Sequence, residues 1–393
     1  MKKILLLFLI SCAIFSCRPG ISSLIRDNVE NAAVQYAALV DTADARGDGM
    51  IPYSWENDKM VFVDKYAWVS GFFAGSLWYL YELSGDEKWV APARKYTECL
   101  EDVKYYIYNH DVGFMIGDSY GNGLRLKGYP EYNEVIVTTA RSLATRYHEN
   151  AGIIQSWGIG GWTAERGWKC PVIIDNMMNL DLLFQASKIS GDPSFAKIAV
   201  SHADNTIKNH FRPDGSCYHV VDYDPETGEV RSRETAQGYS DESAWARGQS
   251  WAIYGFLECW ENTGDRRYLE QSIKTFDFVT NHPNMPEDGI PWWDYDCPDI
   301  PDTYRDVSSA AILASASYGL YNATGDRKYL RRGDLIIRSL SSPAYRAEPG
   351  TNGGFILMHC IGSMLHHGSI DTPLNYADYY LLEALVKRKN IKG

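Results

Sequence analysis

Ile189-Ser190-Gly191-Asp192-Pro193-Ser194-Phe195 stops one helical pattern and starts another within seven residues. The same Ser/Thr-Gly-Asp triplet returns as Ser84-Gly85-Asp86, Thr263-Gly264-Asp265 and Thr324-Gly325-Asp326. An aromatic follows closely each time: Trp89, Phe195, Tyr268 and Tyr329. Glycine takes the left-handed position that ends a helix, and aspartate caps the start of the next. The flanks agree, because Val69–Leu83, Met177–Ile189, Ala252–Trp260 and Ala310–Tyr321 carry apolar residues at helical spacing. Helical hairpins joined repeatedly by one kind of turn point to a repeating all-α architecture.

Working outward, the periodicity predicts helices over about 22–42, 68–84, 87–108, 133–149, 175–190, 193–209, 245–262, 267–282, 306–323, 327–341 and 374–389, with a further short one near 353–365. Six hairpins in succession close as an (α/α)6 barrel, an inner ring of helices inside an outer ring. An open helical solenoid is the alternative. Strands are minor. Ser216–Tyr223 alternates in character, Pro225-Glu226-Thr227-Gly228 supplies a turn, and Glu229–Arg233 follows, which reads as a surface β-hairpin. Asp222-Tyr223-Asp224 lacks the rest of a calcium loop and reads as part of that turn.

The first residues, MKKILLLFLISCAIFSC, place two lysines before an apolar run too short to span a bilayer as a mature helix. This is an export signal. Phe15-Ser16-Cys17 matches a bacterial lipoprotein processing site, with Cys17 the acylated residue; Cys12 is a poorer candidate and cleavage without lipid the plain alternative. Residues 1–17 are therefore the signal peptide, 18–24 a short tether, and 18–393 one domain without a low-complexity linker. The expected location is the periplasm or outer membrane of a Gram-negative cell, with membrane contact only through the lipid anchor.

The formal charge of −12 argues against nucleic acid or an anionic membrane surface as partner. It also means that an anionic ligand has to be drawn in by local positive charge. Twelve Trp and 27 Tyr serve either a large core or a carbohydrate cleft in which flat rings stack on sugars. The six cysteines after Cys17 are scattered, with no CxxC pair, and read as buried small hydrophobes rather than a zinc site. His366-His367 lacks carboxylate or cysteine partners at ligand spacing, so no metal is expected. No phosphate-binding glycine loop occurs, and no cofactor is expected.

Four blocks combine polar groups with aromatics near helix ends: Trp68–Gly75, Asn109–Phe114, Ile173–Asn179, and Gln237–Asp241 continuing through Trp245–Trp251. Asp175 follows the apolar run Val172–Ile174 and opens an apolar helix. It either caps that helix or acts as a proton-transfer group. A second apolar-flanked carboxylate, Asp111, lies upstream. Two carboxylates in one aromatic pocket raise the pKa of one of them, burial adds to the rise, and a helix N-terminus opposes it. Arg247, between Trp245 and Trp251, makes either a surface salt bridge or a fork onto a ligand carboxylate. His219 lies on the predicted hairpin and by spacing alone is more often structural.

In this order, His110-Asp111-Val112-Gly113-Phe114, Ile174 through Leu180, Gly238-Tyr239-Ser240-Asp241, Trp245 through Trp251, Asp378-Tyr379-Tyr380 and Glu383-Ala384-Leu385 resemble glycoside hydrolase family 88, the unsaturated glucuronyl hydrolases. The resemblance covers nearly the whole chain after the signal. It implies an (α/α)6 barrel with a pocket at one end, and an unsaturated oligosaccharide as substrate. It also implies that Asp175 is the general acid/base and Asp111 a second essential carboxylate. His219, Gln237, Arg247, Trp68 and Trp251 would line the pocket, with Trp157 and Trp245 as further walls. Two other readings stand beside it. One is a different enzyme on the same scaffold, such as an unsaturated rhamnogalacturonyl hydrolase, a polysaccharide lyase or a sugar epimerase. The other is a glycan-binding lipoprotein without catalysis.

Overall fold

In the computed structural model, which describes residues 20–391, twelve helical segments pair into six hairpins. The outer member of each comes first in sequence. The outer helices are α1 (Ile21–Arg46), α3 (Val90–Glu98), α5 (Tyr132–Ala144), α8 (Pro193–His210), α10 (Arg266–Asn281) and α12 (Arg327–Leu340). Their inner partners are α2 (Ser70–Ser84), a wide-turned segment Gly113–Gly121 running into α4 (Asn122–Lys127), α7 (Leu180–Ser190), α9 (Ala246–Thr263), α11 (Val307–Thr324) and α13 (Asn375–Asn390). A one-turn helix, α6 (Trp162–Glu165), lies in the connection before α7. Each inner element packs on the next, α2 on Gly113–Gly121, that segment on α7, then α9, α11, α13 and back to α2, so the ring closes. The barrel is the expected (α/α)6 toroid and not an open solenoid. Burial follows position. α11 is buried without a break from Val307 to Leu320, whereas α12 buries a single face built on Tyr329, Leu330, Ile336, Ile337 and Leu340.

The Ser/Thr-Gly-Asp triplets carry four of the inner-to-outer turns. Gly85, Gly191, Gly264 and Gly325 adopt φ of 69°, 74°, 72° and 71°, and each donates its N–H to the carbonyl four residues back. The preceding hydroxyl donates into the last helical turn and accepts from the aspartate N–H, as in Thr263 to Cys259 at 2.6 Å and Asp265 to Thr263 at 3.1 Å. The aspartate carboxylate then accepts from the next helix, as Asp192 does from the Ser194 N–H at 2.9 Å. Every position of the triplet therefore satisfies a helix-end group that would otherwise be orphaned. Cys170, Cys217, Cys259, Cys297 and Cys360 are buried free thiols, and Cys99 is half-buried.

These tight turns lie at one end of the barrel. The outer-to-inner connections at the other end are long. They carry β1 (Ile51–Glu56) paired with β2 (Lys59–Val63), β3 (Tyr147–His148) with β4 (Ile153–Ile154), β5 (Cys170–Ile173) with β6 (Val220–Tyr223), β6 with β7 (Val230–Glu234), and β8 (Cys360–Ser363) with β9 (Gly368–Thr372), all antiparallel. All four blocks singled out in the sequence lie in these connections or at the inner-helix starts they feed.

Four expectations change. The predicted surface hairpin is two strands of a three-stranded sheet, and β6 is its fully buried centre because β5 covers its other edge. Residues 353–365 form a short turn and a strand, with no helix beyond the single 3-10 turn at Asn352–Gly354. Residues 21–24, assigned to the tether, open α1. Residues 87–108 divide into a 3-10 turn, α3 and a second 3-10 turn. The inner element at 113–127 was not predicted at all. Its four glycines disfavour an isolated helix, but they are what the packing requires. A Cβ on Gly113 would overlap the Asn179 Oδ1 and the Asn179 backbone. Gly71 and Gly75 of α2 meet the Phe114 and Asp118 carbonyls just as closely. Gly113→Ala is expected to lower stability by about 1–3 kcal/mol in urea unfolding, as overpacking does. Turnover should fall with it, because Gly113 sets the spacing between the Asp111 and Asp175 segments. Unchanged unfolding would show that Asn179 yields freely.

Candidate active site

The starts of the inner helices converge at the long-loop end of the barrel. Asp175 enters where β5 runs into a 3-10 turn, Ile174–Asn179, ahead of α7. It does not cap: no side-chain capping bond is made there, its side chain is buried, and its Oδ2 has no hydrogen-bond partner among the described residues. Asp111 lies just before the wide-turned inner segment. Asn179 ties the two together by accepting the Phe114 N–H at 3.0 Å. Burial is the main reason that the Asp175 carboxyl is pushed up to about 6; Arg247 and His110 pull it down, and Asp111 adds to the rise. Of the opposing effects weighed from sequence, burial wins over the helix terminus, and the second carboxylate is a smaller contributor.

His219 faces this carboxyl, with Nε2 3.8 Å from the Asp175 Oδ2. Its tautomer follows from the backbone. The N–H groups of Ala236 and Gln237 both donate to Nδ1, at 3.0 and 3.1 Å, so Nδ1 carries no proton and Nε2–H faces Asp175. Burial, followed by the Arg247 charge, holds His219 well below the usual imidazole range. It is a neutral donor, not a cation.

Arg247 departs most from expectation. It is buried rather than in a surface salt bridge. Nη1 donates to Asp306 at 3.3 Å and to the Ile361 carbonyl, while Nη2 donates to the Gln237 Oε1 and the Gly362 carbonyl, both at 2.7 Å. Only Nε–H lacks a partner among the described residues. Four of five donors are occupied, so the side chain as placed cannot fork onto a ligand carboxylate. It contributes a fixed charge and one free N–H, sandwiched against Trp245 at 4.5 Å and Tyr376 at 5.5 Å.

The aromatic residues form a continuous wall. Trp157 meets His219 edge-on at 6.2 Å, and His219 packs on Trp245 at 4.5 Å. On the other side Trp68 contacts Tyr376 at 5.0 Å and Phe114 at 5.6 Å, and Phe114 contacts Trp251 at 5.3 Å. Trp68 and Trp157 are half-buried, whereas Trp251 is completely covered and lies beneath the wall. Every residue predicted for the pocket thus belongs to one connected set. His110, named in the sequence only as part of its block and given no role there, has its Nε2 3.2 Å from the Asp111 Oδ1; Asp306, Tyr376 and Trp162 were not singled out. Only His110 carried a signal, its place beside Asp111; the others come from distant connections.

Other buried carboxyls are raised too, Asp118, Glu258 and Asp378 among them. Burial pushes Asp378 up to about 7, but its oxygens accept the Ile356 and Leu357 N–H groups, both at 2.9 Å. It pins a connection to α13. The 360 Å³ cavity lined by Asp118, Asp181, Glu258 and Glu383 lies further along the inner helices and contains neither Asp111 nor Asp175. Among the described residues no group of three or more His, Cys, Asp or Glu is placed to hold a metal ion.

The model of Glycosyl Hydrolase Family 88 matches residues 50–261. The chain belongs to that family. It is 43% identical over 325 residues, 82% of this chain and 80% of the other, to an unsaturated glucuronyl hydrolase of Formosa agariphila. It is 32% identical over 335 residues, 83% of this chain and 82% of the other, to an unsaturated chondroitin disaccharide hydrolase of Streptococcus pneumoniae. A crystal structure of an unsaturated glucuronyl hydrolase specific for heparin superposes with a TM-score of 0.90 at 41% identity, covering 94% of this chain and 99% of that one. Family 88 membership places Asp111, Asp175 and Arg247 within the matched span.

Proposed function

We propose that this family 88 protein is a glycosidase that removes a 4,5-unsaturated uronic acid from the non-reducing end of lyase-generated oligosaccharides. The observation that carries the reading is Asp175, a buried carboxyl pushed up to about 6, with one oxygen unengaged, that faces His219 within the aromatic wall at the long-loop end. The substrate is an enol ether. Asp175 gives its proton to C4, and the resulting positive charge at C5 spreads onto the ring oxygen. Water adds at C5 while the Asp175 carboxylate takes one of its protons. The C5 hemiketal then opens, leaving a ketone at C5, and the hemiacetal at C1 expels the second sugar as an alcohol. One carboxyl serves both steps as acid and then base. A two-carboxylate displacement at C1 is not needed, so the separation rules for such pairs do not apply.

The other residues have supporting parts. Neutral His219 donates to the Asp175 carboxylate or to the attacking water. Asp111, paired with His110, accepts sugar hydroxyls. Trp68, Trp157 and Trp245 supply flat apolar faces, with Trp251 beneath. The uronate carboxylate is drawn by the Arg247 charge and its unpartnered Nε–H, a local attraction set against the net charge of −12. Relatives named for heparin and chondroitin products share this terminal sugar, which is the part that the pocket reads. We also propose that the protein is exported and lipid-anchored through Cys17; the whole signal, 1–17, and that residue with it, lies outside the described residues.

Turnover in heavy water tests the chemistry. One deuterium is expected at C4 of the released keto-sugar, read by mass spectrometry. Complete turnover with C4 unlabelled would place the proton on the bridging oxygen and end this reading.

A further inference from the structure

The short stretch between Cys17 and α1 determines which way an anchored barrel faces. Ile21 begins α1, and only Arg18, Pro19 and Gly20 separate it from Cys17. Fully extended, that link spans at most about 14 Å. α1 starts at the tight-turn end of the barrel. Ile21, Ile25 and Val29 share a 430 Å³ groove with Leu83, near the end of α2, and with Lys389 and Ile391, at the end of α13. The starts of those two inner helices hold the Trp68 and Tyr376 sides of the site. Helices of 15 and 16 residues rise about 22–24 Å, so the groove lies that far down the barrel axis from the pocket. A link of about 14 Å cannot carry the mouth to the lipid.

The net charge of −12 disfavours an anionic membrane surface on average, but this groove is locally apolar and basic, lined by Arg26, Arg388 and Lys389 against Glu30. Ile25, Leu83 and Ile391 form its floor, with the half-buried Ile21 and Val29 beside them. Exposed Arg26 and Lys389 stand on the rim along with Glu30. Arg388 is already paired with Asp334 at 2.7 Å and faces inward. Lys389 donates to the Leu83 carbonyl at 3.0 Å, an easily exchanged partner. Apolar side chains at the acyl boundary with cations at the phosphates is how a protein surface lies on a bilayer.

We propose that the tight-turn end of the barrel sits on the phospholipid surface through the groove of Ile21, Ile25, Val29 and Ile391, with Arg26 and Lys389 at the phosphates, so that the pocket opens away from the membrane. This rests on the lipid anchor at Cys17. The test uses the full-length chain, purified from its host and placed in vesicles of phosphatidylethanolamine with a minority of phosphatidylglycerol. The Cys17→Ser chain in solution is the reference. Amide exchange of peptides covering 21–30 and 385–391 is expected to slow about tenfold on vesicles, while peptides covering 157–167 and 363–372 exchange as in solution. Arg26→Glu and Lys389→Glu should each remove much of that protection and leave turnover of a soluble disaccharide unchanged. Mass spectrometry of the N-terminal peptide separates the two layers of the argument. If Cys17 carries no lipid, the anchor and this proposal fall together. If the lipid is present but protection appears at the mouth, or nowhere, the orientation alone is overturned.

Discussion

Asp175→Asn is expected to lower kcat by about 10³-fold, as loss of a general acid–base group does, and at the same time to make the folded protein more stable at pH 7.5. The two effects have one cause. Burial holds this carboxyl at about 6 against an unfolded value of 3.8, so the folded protein pays for ionising it. A folded pKa above the unfolded one means that the favourable contribution is complete below about pH 3.8 and is lost as the pH rises through about 6. A shift of about two units corresponds to about 3 kcal/mol, an upper figure for the gain from a neutral amide at neutral pH. Urea unfolding at pH 7.5 and at pH 4 checks the sign: the variant should gain at the first and gain little at the second. In the wild type, kcat/KM should decline above about pH 6, as the free enzyme loses the proton it has to give. Near-normal turnover by Asp175→Asn would remove Asp175 from the chemistry whatever its stability did.

Arg247→Met is expected to destabilise the protein by about 3–5 kcal/mol, the range for removing one partner from a buried charged network. The loss leaves the Asp306 Oδ2, the Gln237 amide oxygen and two carbonyls without the donor that Arg247 supplies. The double variant Arg247→Met with Asp306→Asn should recover about 1–3 kcal/mol of this, the coupling expected between contacting groups. A catalytic signature goes with it. Arg247 is the main group pulling the Asp175 pKa down, so the alkaline limb of kcat/KM should move to higher pH in the residual activity. An unmoved limb alongside lost stability would make Arg247 purely structural.

A chain with 50 acidic and 38 basic residues would repel a uronate on average. Buried Arg247 places one fixed positive charge at the long-loop end, and an anionic sugar is expected to depend on that local charge rather than on the net field.

The repeat of Ser/Thr-Gly-Asp turns was enough to read the helical hairpins, because each turn is built from contacts within about six residues of chain; closure of the ring, against an open solenoid, followed only from the family resemblance and the packing of the inner helices. The pocket residues were also legible, as polar groups interrupting apolar runs at helix starts, once the family resemblance ordered them. Three things could not be read locally. The inner element at 113–127 is glycine-rich and gains its stability from close approach to α2 and Asn179, which lie on other hairpins. The state of Arg247 depends on Asp306 and on two carbonyls more than a hundred residues away. The pKa of Asp175 depends on how completely the surrounding connections exclude water. Local sequence determines where helices stop and start; burial and charge at the centre of a ring belong to all six hairpins at once, and exist only when the ring is closed.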